Sequence, residues 1–150
     1  MPRILVTGMS GAGKSTLLAE LERRGHLTVD TDYGDWELPG GLWDEPRMGA
    51  LLAENVDVVV SGTVENQGRF YDRFEHVVLL SAPVDVLIRR IAARKNNPYG
   101  HTQEQQAEVR RYVRDVEPVL RRGATMELDG CLPVADLADT VEALTWTLSE

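Results

Sequence analysis

Several kinds of residue are scarce in this 150-residue chain, and each scarcity excludes a class of protein. The single cysteine, Cys131, excludes an internal disulfide framework and any zinc site built on cysteines, and it suits a reducing cytoplasm. The three histidines lack the spacing of metal ligands. Residues 4–6 form too short an apolar run for a signal peptide, and no stretch approaches the length of a membrane span. We therefore expect a cytoplasmic protein.

Basic residues are also scarce, and their distribution is uneven. The net charge of −8 argues against a general binder of nucleic acids or membranes. Residues 30–57 contain eight carboxylates and one basic residue, Arg47, whereas residues 89–122 contain nine Lys or Arg and four Asp or Glu. An arginine-rich helix is often only a solvated face, but this clustering also gathers positive charge where an anionic ligand would need it.

What the chain does have is an alternation of short apolar runs and helical patterns. Its length and its hydrophobic content of 43% are those of one domain with one core. The apolar runs predict five strands, at residues 4–6, 26–29, 56–60, 76–80 and 125–129. Apolar spacing predicts helices at residues 16–24, 46–54, 83–94, 102–122 and from 134 onward. Pro118 should kink or break the fourth helix. This alternation predicts an α/β domain with a parallel sheet and helices on both faces.

The most specific motif is GMSGAGKS at residues 8–15, a full match to the phosphate-binding loop G-x-x-x-x-G-K-[ST]. It lies between a predicted strand and a predicted helix, so backbone N–H groups and the positive end of the helix dipole would point at one place. Lys14 would reach the β- and γ-phosphates of ATP, and the Ser15 hydroxyl would bind Mg²⁺. The predicted nucleotide-binding residues of the loop are Gly11, Ala12, Gly13, Lys14, Ser15 and Thr16.

Two carboxylates, Asp30 and Asp32, follow the second predicted strand. Ligands of open α/β sheets bind beyond the carboxyl ends of the strands, and residues two positions apart on an extended chain point the same way. One carboxylate would serve the magnesium site with Ser15, and the other would accept the proton of an acceptor hydroxyl. We assign Asp30 to the metal and Asp32 to the base, and the reverse assignment stays open.

Three segments together resemble the small P-loop kinases of the adenylate, shikimate and gluconate kinase group. They are GMSGAGKST at residues 8–16, D-T-D at residues 30–32, and Arg90-Ile-Ala-Ala-Arg94. The resemblance implies a three-layer P-loop NTPase fold with strand order 2-3-1-4-5, an acceptor segment at about residues 31–55 and a short lid at about residues 95–102. It also implies that Arg90 packs on the adenine and that Arg94 contacts the transferring phosphate, as suits a planar guanidinium.

The same resemblance assigns two further groups of residues. The loop after the fifth strand would cradle the adenine, chiefly through Gly130 and Pro133. Its residues are Gly130, Cys131, Leu132 and Pro133. Another arginine would reach the phosphates from the helix that follows the lid. The candidates are Arg110, Arg111 and Arg114.

The acceptor side departs from the family pattern. No strand ends in the acid of a strict Walker B site, and the third strand is followed by Ser-Gly-Thr at residues 61–63 rather than by a glycine triplet. Only Arg47 is present in the acceptor segment to bind an anion, so a neutral or cationic hydroxyl compound is favoured, such as a sugar, a nucleoside or an aminocyclitol. The candidate acceptor contacts are Asp30, Asp32, Trp36, Trp43, Gly62, Asn66, Gln67 and Arg69. The two tryptophans would serve equally well to pack the loop.

These observations predict a kinase that transfers the γ-phosphate of ATP, with Mg²⁺, to a hydroxyl of a small molecule. Its catalytic residues would be Lys14, Asp32 and Arg94. Two alternatives stay open, a nucleoside monophosphate kinase and a nucleotide-dependent ATPase or switch that acts on a macromolecule. We expect no nucleic-acid or membrane partner, and either a monomer or a homodimer.

Overall fold

Five parallel strands form one sheet in the order β2-β3-β1-β4-β5. The computed structural model describes residues 2–94 and 101–149. The strands are β1 (Arg3–Gly8), β2 (Thr28–Asp30), β3 (Val58–Ser61), β4 (His76–Ser81) and β5 (Met126–Asp129). The helices are α1 (Lys14–Arg23), α2 (Glu45–Glu54), α3 (Val84–Ala92), α4 (Gln103–Asp115), α5 (Glu117–Gly123) and α6 (Val134–Ser149), and a 3-10 helix spans Gln67–Arg73. The predicted fold class and strand order are confirmed.

Each face of the sheet is covered by its own apolar cluster, because alternate residues of the central strands point to opposite sides. On one face, α1, α3 and α6 pack against the strands. The fully buried members there include Ile4, Val6, Leu17, Leu87, Ile91 and Val141. On the other face lie α2, the 3-10 helix and the loop after β2. The buried members there include Leu5, Trp43, Met48, Leu52, Val60 and Phe70. In open α/β sheets, ligands bind at the edge formed by the carboxyl ends of the strands.

The loop after β2 contains a small hairpin, residues 36–44, in a segment where the sequence pattern predicted neither a strand nor a helix. Glu37 and Trp43 form an antiparallel bridge. The backbone N–H of Leu38 donates to the Leu42 carbonyl at 2.7 Å, and that of Asp44 donates to the Trp36 carbonyl at 2.8 Å. The sequence pattern hid the hairpin because its strands are too short to show an alternation of apolar and polar residues.

The single helix predicted over residues 102–122 is two helices, α4 and α5. They separate at Val116, two residues before Pro118. Proline has no backbone N–H, so it cannot donate a hydrogen bond to the preceding turn. Thr102 caps α4, because its hydroxyl accepts the backbone N–H of Gln105 at 3.0 Å. Most of the predicted lid, residues 95–100, lies outside the described residues. In the part of the chain that is described, none of the helices is both long and apolar enough to cross a bilayer.

Gly62 joins β3 to the packing around the 36–44 hairpin and has no room for a side chain. A Cβ atom there would overlap the Thr31 hydroxyl and would lie 3.1 Å from the Trp43 ring. Gly62→Ala should therefore lower the free energy of unfolding by about 1–3 kcal/mol, the usual cost of overpacking, in a urea titration. Gly68→Ala is the matched control, since a Cβ atom at Gly68 meets nothing closer than Tyr71 at 4.0 Å. Equal stability of the two variants would contradict the prediction.

Candidate active site

The phosphate-binding loop connects the end of β1 to the start of α1. Gly11 and Gly13 have left-handed backbone φ angles of 87° and 106°, and α1 begins directly at Lys14. Glycine adopts such angles without strain, which lets the chain turn back and direct its N–H groups inward. The loop therefore has the strand-turn-helix arrangement that the motif predicted.

Lys14 is folded over this loop. Its Nζ donates hydrogen bonds to the carbonyl oxygens of Gly8, at 2.5 Å, and Met9, at 3.3 Å. Burial lowers the pKa of the ammonium group to about 8, although the nearby negative charges of Asp32 and Asp30 act in the opposite direction. The positive charge is thus only partly compensated by the chain, and a phosphate group bound to the loop would compensate it further.

Ser15 and Asp30 are directly bonded to each other. The Ser15 hydroxyl donates a hydrogen bond of 2.6 Å to Oδ2 of Asp30, which is the last residue of β2. The other oxygen of Asp30 accepts the backbone N–H of Asp32 at 3.1 Å, which stabilises the turn in the D-T-D segment. A hydroxyl and a carboxylate are the hard oxygen ligands that Mg²⁺ uses beside phosphates. The residues predicted to bind the metal therefore fit it.

Asp32 lies near the charges of Lys14 and Glu37. Among the charges that act on the Lys14 ammonium, that of Asp32 has the largest effect. Partial desolvation, followed by the nearby charges of Asp32 and Asp30, raises the pKa of Glu37. Sequence reasoning missed Glu37, because only the 36–44 hairpin brings this residue back to the end of β2.

Arg90 joins the phosphate-binding loop to the loop after β5. Its Nη1 donates to the carbonyl oxygens of Gly11, at 3.1 Å, and Ala12, at 3.5 Å, and its Nη2 donates to that of Gly130 at 2.9 Å. A Cβ atom at Gly130 would lie 2.5 Å from the Ala12 carbonyl oxygen, so only glycine permits this close approach. The hydrogen bonds occupy the edge of the guanidinium group, whereas stacking on adenine would use its face, and the two roles are compatible.

An open cleft of about 500 Å³ adjoins this junction. Its lining residues are Gly11, Gly13, Thr16, Arg90, Arg94, Gly130, Leu132, Val134 and Leu137. Apolar walls with a few polar groups are typical of small-ligand sites. The cleft thus brings together most of the residues predicted to contact the nucleotide, and Cys131 and Pro133 lie exposed beside it.

Arg94 lies at the rim of the cleft, where its Nη1 donates to the Ser10 hydroxyl at 3.3 Å. Its positive charge also acts on Lys14, so both cations are near the phosphate-binding loop. The three α4 arginines, by contrast, have exposed side chains. Arg114 pairs with its neighbour Asp115 at 2.9 Å, and the Arg111 guanidinium lies 5.9 Å from the ring centre of Tyr112. The expected phosphate contact from α4 stays a prediction.

The predicted acceptor contacts differ widely in exposure. Trp36 is half-buried, and the guanidinium of Arg47 lies 3.9 Å from its ring centre. Arg69 is exposed and pairs with Glu45 at 3.5 Å. Trp43 is only 1% exposed and packs in the core, so its interpretation as an acceptor contact is wrong and its alternative role in loop packing is correct.

Gly62, Asn66 and Gln67 do not present polar groups to a ligand. The Asn66 amide accepts the backbone N–H of Trp43 at 3.0 Å and donates to the Trp43 carbonyl at 3.1 Å, so it clamps the hairpin. The Gln67 side chain is buried and donates to the hydroxyl of Thr7 at 3.1 Å. The structure does not support direct acceptor contacts for these three residues, because their side of the loop is occupied by internal packing.

Thr63 is a second residue that the sequence analysis missed. Its hydroxyl donates to the Gly8 carbonyl at 2.6 Å and accepts the Gly8 backbone N–H at 3.3 Å. It follows β3 at the carboxyl edge of the sheet, where it stabilises the entrance to the phosphate-binding loop. The rule that ligand-binding residues lie at the carboxyl ends of strands singled out Asp30, and it would also have found Thr63.

Arg90 and Arg89 are adjacent on α3 and allow a matched test of the junction. Arg90→Ala should raise the Kd for Mg-ATP about 10- to 100-fold, because hydrogen bonds made by a charged group contribute roughly 1.5–3 kcal/mol. Arg89 is exposed, so Arg89→Ala should leave the Kd unchanged. Isothermal titration calorimetry measures both values, and equal affinities would show that the junction does not support nucleotide binding.

Comparisons with known proteins agree with this fold and this loop. A family model described as an AAA domain matches residues 4–111. A nucleotide-binding protein of Pseudomonas putida strain GB-1 is 30% identical over an alignment of 156 positions, which covers 93% of this chain and 48% of the relative. The chain spans about half the length of the curated relatives it matches.

Two solved structures resemble the fold at low identity. Shikimate kinase from Acinetobacter baumannii in complex with shikimate is 23% identical, with a TM-score of 0.73 and coverage of 98% of this chain and 94% of that one. Deoxyadenosine kinase from M. mycoides with bound dATP is 16% identical, with a TM-score of 0.68 and coverage of 95% and 98%. Since the family model matches well over half of the residues, the chain belongs to the AAA domain family, and within it has the fold of P-loop small-molecule kinases.

Proposed function

We propose that the chain is a cytoplasmic, ATP-dependent phosphotransferase that moves the γ-phosphate to a hydroxyl group of a small, non-anionic molecule. The observation that carries this proposal is the position of Asp32. Its carboxylate acts on Lys14, the residue expected to reach the γ-phosphate, and it follows the strand whose last residue bonds Ser15. A cation that binds phosphate, Lys14, and a proton acceptor, Asp32, are thus close together, as transfer to a hydroxyl requires.

The chemistry follows from these positions. The phosphate-binding loop and Lys14 would hold the β- and γ-phosphates, and Arg94 at the cleft rim would stabilise negative charge that develops on the transferring group. Ser15 and Asp30 would hold Mg²⁺, which when bound neutralises phosphate charge. The hydroxyl oxygen of the acceptor would bond to the γ-phosphorus while the bond to the β–γ bridging oxygen breaks, and Asp32 would take the hydroxyl proton.

The charges of the acceptor segment support a neutral or cationic acceptor. Residues 30–45 carry six carboxylates, and Arg47 is the only basic residue of the segment at residues 31–55. Arg47 lies over the Trp36 ring and donates to the Gly34 carbonyl at 2.6 Å, and Arg69 pairs with Glu45. Both arginines are thus engaged internally, which disfavours the anionic acceptor of a nucleoside monophosphate kinase. A sugar, a nucleoside or an aminocyclitol fits better.

A second candidate is a nucleotide-dependent ATPase or switch that acts on a macromolecule. Two findings favour it: the matching family is described as an AAA domain, and the first curated relatives are nucleotide-binding proteins about twice as long as this chain. It would use the same phosphate-binding loop with water in place of an acceptor hydroxyl. The two functions differ in whether a small acceptor stimulates turnover.

An acceptor panel separates these functions. With Mg-ATP alone, release of ADP should be slow, and at least one monosaccharide, nucleoside or aminoglycoside should stimulate it and become phosphorylated. Nucleoside monophosphates should not stimulate it, because Arg47 and Arg69 on the acceptor side are engaged within the chain. A coupled ADP assay with mass spectrometry of the products gives the answer, and release that no compound of the panel alters would favour the switch.

Substitution of Asp32 tests the proposed base. Asp32→Asn should lower acceptor-stimulated kcat by about 10²–10⁴-fold, the usual contribution of a positioned acid–base group, with little change in the KM for ATP. Asp35→Asn removes a charge from an exposed side chain three residues away and should change kcat little. Lys14→Ala should abolish turnover. A kcat for Asp32→Asn within threefold of the parent would refute the assignment of the base.

A further inference from the structure

A continuous series of hydrogen bonds runs from the 3-10 helix to the first residue of the phosphate-binding loop. The Gln67 amide donates to the Thr7 hydroxyl at 3.1 Å, and the hydroxyl oxygens of Thr7 and Thr63 lie 3.1 Å apart. The Thr63 hydroxyl then donates to the Gly8 carbonyl at 2.6 Å. The same carbonyl accepts a hydrogen bond from Nζ of Lys14. The series thus ends at the ammonium group that is proposed to bind the phosphates of ATP.

Each proton in this series has one possible place. Oε1 of Gln67 accepts the backbone N–H of Val64 at 2.9 Å, so the NH₂ end of the amide faces Thr7 and can only donate. The Thr63 proton lies toward the Gly8 carbonyl, because two oxygen atoms 2.6 Å apart need a proton between them. Thr63 therefore has no proton left for Thr7, and Thr7 donates to Thr63. All these bonds point toward Gly8, and bonds aligned in this way strengthen one another.

Thr63 holds Gly8 at two points. Besides donating to the Gly8 carbonyl, its hydroxyl accepts the backbone N–H of Gly8 at 3.3 Å. These two groups belong to successive peptide units, so one oxygen atom that binds both restricts the backbone rotation between them. Glycine otherwise has the widest choice of backbone angles. The direction of the Gly8 carbonyl is therefore fixed from outside the phosphate-binding loop.

The Gly8 carbonyl in turn helps to set the place of the Lys14 ammonium group. That group has three N–H donors. In the described part of the chain, the carbonyls of Gly8 and Met9 take two of them, at 2.5 Å and 3.3 Å, which leaves the third for a phosphate oxygen. Thr7 and Gln67 are 0% and 2% exposed, so water does not compete for the bonds behind the carbonyl. A buried and fully bonded layer of this kind holds a functional group in a fixed geometry.

We infer that Thr63 is a positioning residue for Lys14: its hydroxyl fixes the Gly8 carbonyl, and that carbonyl holds the ammonium group where the β- and γ-phosphates bind. Thr7 and Gln67 support Thr63 from behind. This role rests on the proposed function, in which Lys14 binds the phosphates of ATP. It gives Gln67, which the sequence suggested as an acceptor contact, a role on the nucleotide side of the site.

The test is a double-mutant cycle on nucleotide affinity. Isothermal titration calorimetry with Mg-ADP measures the Kd, and no phosphate is transferred during the titration. Lys14→Ala should raise the Kd about 10- to 100-fold, and Thr63→Val, which keeps nearly the same shape, about 5- to 30-fold. Thr63→Ser keeps the hydroxyl and should stay within about threefold of the parent. In the Lys14→Ala background, Thr63→Val should change the Kd by less than about twofold, because its effect acts through Lys14.

Thr140→Val is the matched control, since it removes a hydroxyl that bonds within α6, to the Asp136 carbonyl at 3.0 Å. Its Kd should equal that of the parent. Thr7→Val breaks the hydrogen-bond series one step earlier and gives a second measurement if Thr63→Val does not fold. It should raise the Kd about two- to fivefold, and only while Lys14 is present.

Three results would overturn the role of Thr63. The first is a Kd for Thr63→Val that equals that of Thr140→Val, and the second is an effect of Thr63→Val that persists in the Lys14→Ala background. The third is a Thr63→Ser variant that binds as weakly as Thr63→Val, since the hydroxyl would then not be the group that matters. If Lys14→Ala itself leaves the Kd unchanged, the phosphate role of Lys14 in the proposed function fails, and the positioning role fails with it. The first three results leave that phosphate role intact, so the two failures are distinguishable.

Discussion

The hydroxyl group of Thr31 holds the two halves of the site together. It accepts a hydrogen bond from the Trp43 indole and donates one to the Ser61 carbonyl, so one buried atom joins β2, β3 and the 36–44 hairpin. Buried polar groups need partners, and this hydroxyl uses both of its capacities. Because Thr31 points inward, its neighbours Asp30 and Asp32 are left at the carboxyl edge of the sheet. The order of residues in D-T-D is therefore a structural requirement as well as a chemical one.

Positive and negative side chains lie on different sides of the candidate site. Lys14, Arg90 and Arg94 surround the phosphate-binding loop, while carboxylates dominate the segment that follows β2. Arg47 does not offset these acids toward a ligand, since it covers Trp36. In the proposed reaction, a triphosphate would be attracted to one side of the site, and repulsion of a second anion on the other side would contribute to selection of the acceptor.

The sequence correctly predicted the features that depend on contiguous residues. The phosphate-binding loop is a contiguous motif with φ angles that glycine permits, and five apolar runs indicated five strands, whose order the resemblance to small P-loop kinases implied. The residues around the acceptor were harder to assign because their roles depend on partners far along the chain. Asn66 looked like a ligand contact in the sequence, yet its amide is bonded to Trp43, 23 residues away. The 36–44 hairpin had no signal in the sequence, since its bridge between Glu37 and Trp43 is too short to show an alternation of apolar and polar residues.

The junction made by Arg90 has a consequence for the choice of nucleotide. Within residues 2–94 and 101–149, Arg90 bonds to the main-chain carbonyl groups of Gly11, Ala12 and Gly130, and the facing walls are Leu132, Val134 and Leu137. Aliphatic walls respond to the thickness and area of a flat ring, but they do not distinguish the amino and keto groups at its edge. A base that lies in this cleft would be identified mainly by backbone groups of the loop after β5. Discrimination among purine nucleotides would then depend on the path of that loop rather than on any single side chain.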